Sequence, residues 1–586
     1  MPAHASDSRF ALGLDFGTNS VRALIVDVAD GSEVATAVAP YPSGDQGILT
    51  DPHDPDVARQ HPGDYLAAMQ ACVRQALACA EDVKGFAPDR VVGIGVDATG
   101  STPIPVDRQG VPLAMHNHFR DNLAAQAWLW KDHTAHAEAG RITQTAREMG
   151  LPYLDRCGGA YSSEWYWAKI LHCRRTVPGV FDAAWSWVEQ SDYIPAWLVG
   201  HTDPTTMPRN GCAAGHKAMY AADWGGLPSE VFLAALDPAL VPLRSRYAPT
   251  ALPSDRVAGR LSPQAAETLG LPAGLPVAVG LIDAHAGAVG AGIDVGTLVK
   301  TIGTSTCDMM VSPGDAAAPQ IPGLCGVAHS SIIPGMWGLE AGQSAVGDLF
   351  NWFVRNLVPV AYTRDGDPHA ALTLEAARLR PGQSGLLALD WNNGNRSILT
   401  DPRLTGLIVG QTLETTAPQI YRAIIEATAF GALTIIRRIE EHGIAVERVI
   451  NCGGIAEKNP LVMQIYADVC NRPMWVSRSA QTCALGAAIF GAVVGGAYRS
   501  VTEAQQRMTG LKDVVYHPEP AAIAVYAELY ELYQQLHDAF GTKRHVDGLD
   551  QLMKRLLTIR DAARRDAARE SVQKVRPAEA PADIAV

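Results

Sequence analysis

Leu12-Gly13-Leu14-Asp15-Phe16-Gly17-Thr18-Asn19-Ser20-Val21-Arg22-Ala23-Leu24-Ile25-Val26 reads as an apolar strand, a tight polar turn and a second apolar strand. The turn sets one carboxylate, Asp15, among small residues whose backbone N–H groups and hydroxyls are free to face a ligand. Such a nest suits phosphate oxygens, and a carboxylate beside it suits Mg²⁺ held through water. An ordinary hairpin whose Gly17 supplies an unusual backbone angle would look the same locally. The rest of the chain has to decide between these readings.

The same logic recurs downstream. Val91-Val92-Gly93-Ile94-Gly95-Val96-Asp97-Ala98-Thr99-Gly100-Ser101 is a buried-type strand running into an Asp/Thr/Gly/Ser turn. Val277 to Ile282 is a strand ending at the carboxylate of Asp283, and Leu298 to Ile302 runs into Gly303-Thr304-Ser305-Thr306. Val449 to Cys452 leads to Gly453-Gly454. Functional groups gather at the carboxyl ends of strands in α/β sheets, so these turns are the candidates for chemistry. A strand with a phosphate-friendly turn in each half suggests internal duplication around a cleft.

Between the turns lie helical patterns. Tyr65–Ala80 puts Tyr65, Leu66, Met69, Cys72, Val73 and Ala76 on one face. Helices are also expected over Trp128–Met149, Ser163–Cys173, Pro418–Glu441, Pro460–Asn471, Leu485–Val494, Ala521–Phe540 and Leu549–Ala568. Leu485–Val494 is rich in small residues and so can pack closely. Tyr41–Gly63 reads as a long acidic loop, and the Trp-rich region Ala183–Gly226 as the side of a cleft. The Pro/Ala-rich end, Glu570–Val586, reads as disordered.

At 586 residues the chain exceeds one hydrophobic core. With 47% hydrophobic and 19% charged residues it has the composition of a globular protein. A net charge of −13 argues against a general nucleic-acid binder, which needs a basic face. The ten cysteines form no CxxC pair and read as reduced, mostly buried thiols. The start of the chain has no apolar signal core, and no run looks long enough to cross a bilayer. These features together predict a cytoplasmic protein without nucleic-acid or membrane partners. His116, His118, His133 and His136 lack the Cys or carboxylate spacing of a metal site and read as structural or cleft-wall residues.

The order Asp-Phe-Gly-Thr, Gly-Thr-Ser, Gly-Gly resembles the superfamily of two-domain, ribonuclease-H-like α/β folds that includes actin, hexokinase and Hsp70. Gly406-Leu407-Ile408-Val409-Gly410 followed by Gln419 to Glu426 narrows the resemblance to the FGGY carbohydrate kinases, with a departure at Gln411, where an aliphatic residue is usual. Further segments carry it: Asn117–Asn122, Leu129–Thr134, Gly159–Trp165, Gly215-His216-Lys217, Asp283-Ala284-His285, Ile302–Asp308 and Leu339–Ser344. The likeness runs from about Phe10 to about Tyr533. Where many family members carry a Gly-Gln pair after the strand at Ile94, this chain has Asp97-Ala98-Thr99, which argues against xylulose or glycerol as substrate.

The resemblance implies an ATP/sugar cleft between a sugar-binding domain over residues 9–275 and an ATP-binding domain over residues 276–545, followed by a helix and tail over 546–586. It implies ATP and Mg²⁺ as cofactors and transfer of phosphate to the terminal O5 of a ketopentose, foremost L-ribulose. A homodimer is compatible with this reading. Asp283 would be the catalytic base, since kinase chemistry needs a carboxylate against the attacking hydroxyl; its bland alternative is a helix cap. Asp15 would hold the metal. Gly17, Thr18, Asn19 and Arg22 would line the phosphates, with Gly303, Thr304 and Ser305 facing them. Gly453, Gly454 and Asn459 would take the adenosine. Ala98, Lys217 and Glu340 would hold the sugar. A kinase for another pentulose or a pentitol is the nearer alternative, and an Hsp70- or actin-like ATPase the more distant one.

Overall fold

A computed structural model describes residues 8–364 and 366–575. Two seven-stranded mixed sheets organise it, and five strands of each repeat one topology, with an antiparallel strand added at the same edge of both. In the first, the order is Glu33–Pro40, Ser20–Asp27, Phe10–Phe16, Val91–Ala98, Pro276–Ala278 and Val257–Arg260, with Leu281–Ile282 also on Val91–Ala98. In the second, Met336–Ala341, Thr306–Pro313, Thr297–Ile302, Arg448–Cys452, Met474–Ser477 and Leu511–Tyr516 follow the same order, with Gly326–His329 added outside Met336–Ala341. In both sheets an antiparallel three-strand meander is joined in parallel to the fourth strand. The crossover before that fourth strand carries a long helix, Pro62–Glu81 in one half and Ala417–Glu441 in the other.

These helices form where their sequences permit. Pro62 takes the first position, where its missing N–H costs nothing, and the His61 ring accepts from Gly63 N. Thr416 and Gln419 make a capping box ahead of Ala417–Glu441. By length and composition this second helix could cross a membrane, contrary to the expectation that no run could; 78% of its most apolar window is buried, so it is the core helix of the second half.

Helix Thr482–Val494 follows a strand of the second sheet yet lies against Phe10–Phe16 and Val91–Ala98 of the first. Glycines make the approach possible: a Cβ on Gly13 would sit 1.9 Å from the Ala484 carbonyl, and one on Gly95 1.8 Å from that of Ala487. Helix Asp283–Gly290 packs against the same helix, with Gly486 equally tight against the Ala286 carbonyl. The two halves are thus joined through backbone-close, small-residue contacts.

Four expectations need correction. The expected second unit does not open at Pro276, because Pro276–Ala278 and Leu281–Ile282 complete the first sheet; the second sheet begins at Thr297. Tyr41–Gly63 is not all loop: Leu49–Asp51 and Asp54–Gln60 form a hairpin that also pairs with Ala127–Trp128. That pairing keeps Trp128 out of a helix, which starts only at His136. The final helix continues to Val575, past the expected start of the disordered end at Glu570; the remainder of that end lies outside the described residues.

Candidate functional site

Parallel pairing places the chemistry. Register sets Asp15 against Asp97 and Phe16 against Ala98. Leu281 and Ile282 align with Asp97 and Ala98 on the other side, so the chain leaves the sheet directly into Asp283. In the second sheet Thr301 aligns with Cys452, so the turns beginning at Gly303 and Gly453 emerge side by side.

Asp15 is nearly buried, with Arg22 Nη1 3.3 Å from its Oδ2. Burial raises its carboxyl, and the Arg22 charge only partly offsets this. Asp97 is fully buried, and neither carboxylate oxygen has a hydrogen-bond partner. Burial, then the charges of Asp15 and Asp283, push it well above the ordinary carboxylate range. An unpaired buried carboxylate costs several kcal/mol unless a cation or proton joins it. The oxygen donors of Asp15 and Asp97 therefore fit a hard divalent cation of the kind carried by a nucleotide.

Asp283 opens helix Asp283–Gly290, with Ile282 as the cap, and its Oδ1 accepts from Ala284 N at 2.6 Å. Burial and the Asp15 charge raise it to about 7, so it exchanges a proton near neutrality.

Around the first turn, Gly17 N donates to Ser20 O, while Thr18 is fixed by Trp130 Nε1 on its hydroxyl (3.0 Å) and Gln60 Nε2 on its carbonyl (2.7 Å). Asn19 Nδ2 donates to Gln46 O at 2.7 Å, so its side chain braces the neighbouring loop. In the facing turn, Gly303 and Thr304 are exposed and Ser305 half-buried. The Gly303 and Thr304 carbonyls accept N–H groups of Val346, Gly347 and Asp348 at 2.8–3.0 Å, which anchors the turn and leaves its remaining groups toward the cleft.

The turn at Gly453 depends on glycine: φ is +92°, and a Cβ would sit 2.5 Å from the Ile302 carbonyl. Gly454 has open space around it, as a flat base needs. Asn459 follows this turn; its Oδ1 caps helix Pro460–Cys470 through Val462 N, and its Nδ2 reaches Thr373 Oγ1 at 3.3 Å.

The expected sugar residues converge. Lys217 ends helix Gly211–Lys217, and its Nζ lies 2.9 Å from both oxygens of Glu340. Burial alone would discharge the ammonium, but Glu340 more than offsets this and raises it. Burial alone would likewise protonate Glu340. The Lys217 ammonium chiefly, with the Arg396 guanidinium, holds it well below the usual range. Ala98 ends its strand beside Ile282, with its side chain buried.

Two groups carry no assignment from sequence. His216 and His285 stand beside Lys217 and Asp283 in the chain, and both rings turn on Glu340. Behind the Gly303 turn, Lys300 Nζ donates to both Asp308 oxygens at 2.8 Å and to Gln343 Oε1 at 3.0 Å, and Gln343 Nε2 donates on to Asp390 at 2.7 Å. Each looks alone like a core residue, and only proximity to a motif signals it.

Two related sheets with phosphate-type turns, a buried carboxylate at Asp283 and a buried Lys–Glu pair among its electrostatic neighbours suit a sugar kinase that takes ATP as phosphate donor. Residues 10–290 match the FGGY family of carbohydrate kinases, N-terminal domain, and residues 298–494 the FGGY family of carbohydrate kinases, C-terminal domain. The chain belongs to this family. It is 41% identical over 581 residues to a ribulokinase of Geobacillus thermodenitrificans, covering 96% of this chain and 99% of that one. It is 43% identical over 541 residues to a ribulokinase of Vibrio parahaemolyticus, covering 90% and 95%. Among solved structures, a xylulose kinase from Rhodospirillum rubrum superposes with TM-score 0.74 at 25% identity, over 91% of this chain and 99% of that one.

Proposed function

We propose that the protein transfers the γ-phosphoryl group of MgATP to the terminal O5 hydroxyl of L-ribulose, giving L-ribulose 5-phosphate. The observation that carries this reading is the position of Asp283, which follows the strand beside Asp97 and has the Lys217–Glu340 pair as its electrostatic neighbours. The identity to ribulokinases over nearly the whole chain supports the choice of sugar.

Lys217 donates to the ketone or hydroxyl oxygens of the sugar, and Glu340 accepts from two hydroxyls. Both are preset by their mutual pairing, so little rearrangement is needed on binding. Asp283 orients the O5 hydroxyl and takes its proton as the oxygen–phosphorus bond forms and the bond to ADP breaks. Gly17, Thr18, Gly303, Thr304 and Ser305 hold the phosphates, Gly453 and Gly454 admit the base, and Arg22 neutralises charge beside Asp15. Asp15, with Asp97 behind it, would hold the Mg²⁺ of MgATP, which supplies charge neutralisation at the transferring group. Closure of the halves excludes the water that would otherwise accept the phosphoryl group. We place this chemistry in the cytoplasm.

A coupled ADP-release assay with MgATP and L-ribulose, D-ribulose, L-xylulose, D-xylulose, ribitol and glycerol tests the reading. Strong stimulation by L-ribulose is expected. Stimulation by another polyol alone would move the substrate assignment, and steady hydrolysis indifferent to sugar would overturn it.

A further inference from the structure

His216 and His285 are the unexplained side chains of the cleft. Both are buried, their ring centroids are 4.5 Å apart, and they come from different elements, the end of helix Gly211–Lys217 and the first turn of helix Asp283–Gly290. His216 Nδ1 lies 3.5 Å and His285 Nε2 3.6 Å from the same atom, Glu340 Oε2. Room for this approach is built in: strand residue Gly326 pairs with Glu340, and a Cβ there would sit 2.1 Å from His216 Nδ1. His216 Nε2 is fixed from behind by Ser331 Oγ at 2.9 Å. His216 Nδ1 and both nitrogens of His285 have no hydrogen-bond partner, a cost that persists unless the substrate-bound site uses them.

A metal ion is one reading, since a ligand atom from each of His216, His285 and Glu340 lies within 4.8 Å of the others. The place of a cation beside Glu340 is already taken, because the Lys217 ammonium holds both carboxylate oxygens. A divalent ion there would also face that ammonium's repulsion.

We propose that His216 and His285 are positioning residues that aim Glu340 at two adjacent hydroxyls of an uncharged ketose. The inference rests on the sugar-kinase reading above and deepens it. Burial lowers both imidazoles, His285 to about 4, so they stay neutral when the enzyme works. The single Ser331 hydroxyl proton has two acceptors in reach, His216 Nε2 at 2.9 Å and the Ala328 carbonyl at 3.0 Å. Given to Nε2 it leaves the His216 proton on Nδ1, toward Glu340, whereas the other arrangement would set a bare Nδ1 lone pair against a carboxylate. With both rings neutral, the Lys217 ammonium and the Glu340 carboxylate compensate each other, and neither histidine adds a charge that would compete for Glu340. Contacts of 3.5–3.6 Å are of the kind that tighten when the ligand seats.

The test is steady-state kinetics of the full chain with MgATP and L-ribulose. The variants are H285L, H285Q, H216L, H216N and S331A, with thermal unfolding recorded for each. Gln places its amide N–H near the lost Nε2, and Asn near the lost Nδ1. The leucine variants are expected to raise the KM for the ketose about tenfold or more, with kcat and the KM for ATP changed far less. H285Q and H216N are expected to recover most of the loss, and S331A, which leaves every cleft side chain in place, to raise the same KM severalfold. Rescue that fails, or kcat and the KM for ATP worsening in step with the ketose KM, would overturn the proposal in favour of plain packing. So would stoichiometric Co²⁺ binding by the wild type that H285Q abolishes. Absence of wild-type turnover on L-ribulose would instead sink the substrate reading, and the same ratios would then be read on whichever neutral polyol the wild type accepts.

Discussion

Lys217 and Glu340, 123 residues apart, meet with the ammonium 2.9 Å from both carboxylate oxygens. The helix bearing Lys217 also packs on strand Gly326–His329, which pairs with the strand bearing Glu340, so the pair ties the first half of the chain to the second sheet. Breaking a buried pair by removing one partner costs about 3–5 kcal/mol, because the other charge is left uncompensated. Lys217→Met is therefore expected to lower thermal stability and to reduce kcat/KM for the ketose at least a hundredfold. Lys217→Met combined with Glu340→Leu should recover much of the stability but none of the activity. Recovery of activity in the double variant would show that the pair serves the fold alone.

Asp283→Ala is expected to remove turnover by about three orders of magnitude, within the range that general-base catalysis and positioning supply together. ATP binding by calorimetry should be nearly unchanged, because the phosphate turns do not depend on this side chain. Near-wild-type turnover in this variant would refute the assignment.

A pH dependence follows from the same carboxylate. Burial and the Asp15 charge raise Asp283 to about 7, and the base works only when ionised. Activity should be present above about pH 7 and fall as pH drops through that value, giving an acid limb in kcat/KM of the free enzyme. The stability contribution runs the other way. A raised folded-state value favours the protonated fold, so this stabilisation is present at low pH and lost as pH rises through about 7. An acid limb that persists unchanged in Asp283→Asn, measured at whatever residual rate remains, would assign it to another group.

Much of this was legible in sequence because the informative units are local. Asp15 lies at the end of an apolar strand, and Gly303 and Gly453 directly follow one, so strand-then-turn patterning is enough to find them. Asp283 was equally legible as a strand-end carboxylate. What failed was non-local. The strand Pro276–Ala278 carries no mark that its partner is Val91–Ala98, nearly two hundred residues earlier. The hairpin of Leu49–Asp51 and Asp54–Gln60 was hidden by the turn residues Pro52 and His53 and by the brevity of its strands. His216 and His285 carry no assignment in the sequence, and only the fold turns both on one carboxylate. Asn459, beside a functional turn, also caps the next helix, a second task that its place in the sequence does not reveal.

Asp97→Asn exchanges a buried, unpaired carboxylate for a neutral amide of nearly the same shape. The apo protein should gain about 1–2 kcal/mol of stability at neutral pH, because burial beside Asp15 and Asp283 obliges the Asp97 carboxyl to take up a proton on folding and the amide is spared that cost. Function should move oppositely, with a higher Mg²⁺ concentration needed for half-maximal rate and weaker binding of Mn²⁺ with ATP by water-proton relaxation. A variant both more stable and undiminished in metal affinity would show that Asp97 plays no part in holding the cation.

Gly347 tests the phosphate turn without touching a cleft side chain. It begins helix Gly347–Asn356, and its N–H donates to the Gly303 carbonyl at 3.0 Å. A Cβ on Gly347 would lie 2.5 Å from that same carbonyl oxygen, closer than atoms can approach without displacement. The neighbouring Ile455 side chain, 3.0 Å from that position, blocks relief on one side. Gly347→Ala must therefore shift the Gly303–Ser305 turn, which the Lys300–Asp308–Gln343 network holds from behind. The KM for ATP should rise about tenfold or more while the KM for the ketose changes little, since Lys217 and Glu340 lie elsewhere in the cleft. Gly454→Ala is the matched control: nothing lies within 4 Å of its added methyl, so any loss of ATP affinity there would come from the nucleotide itself meeting the new group. Equal effects of Gly347→Ala on both substrates would mean that the turn positions the whole cleft rather than the phosphates.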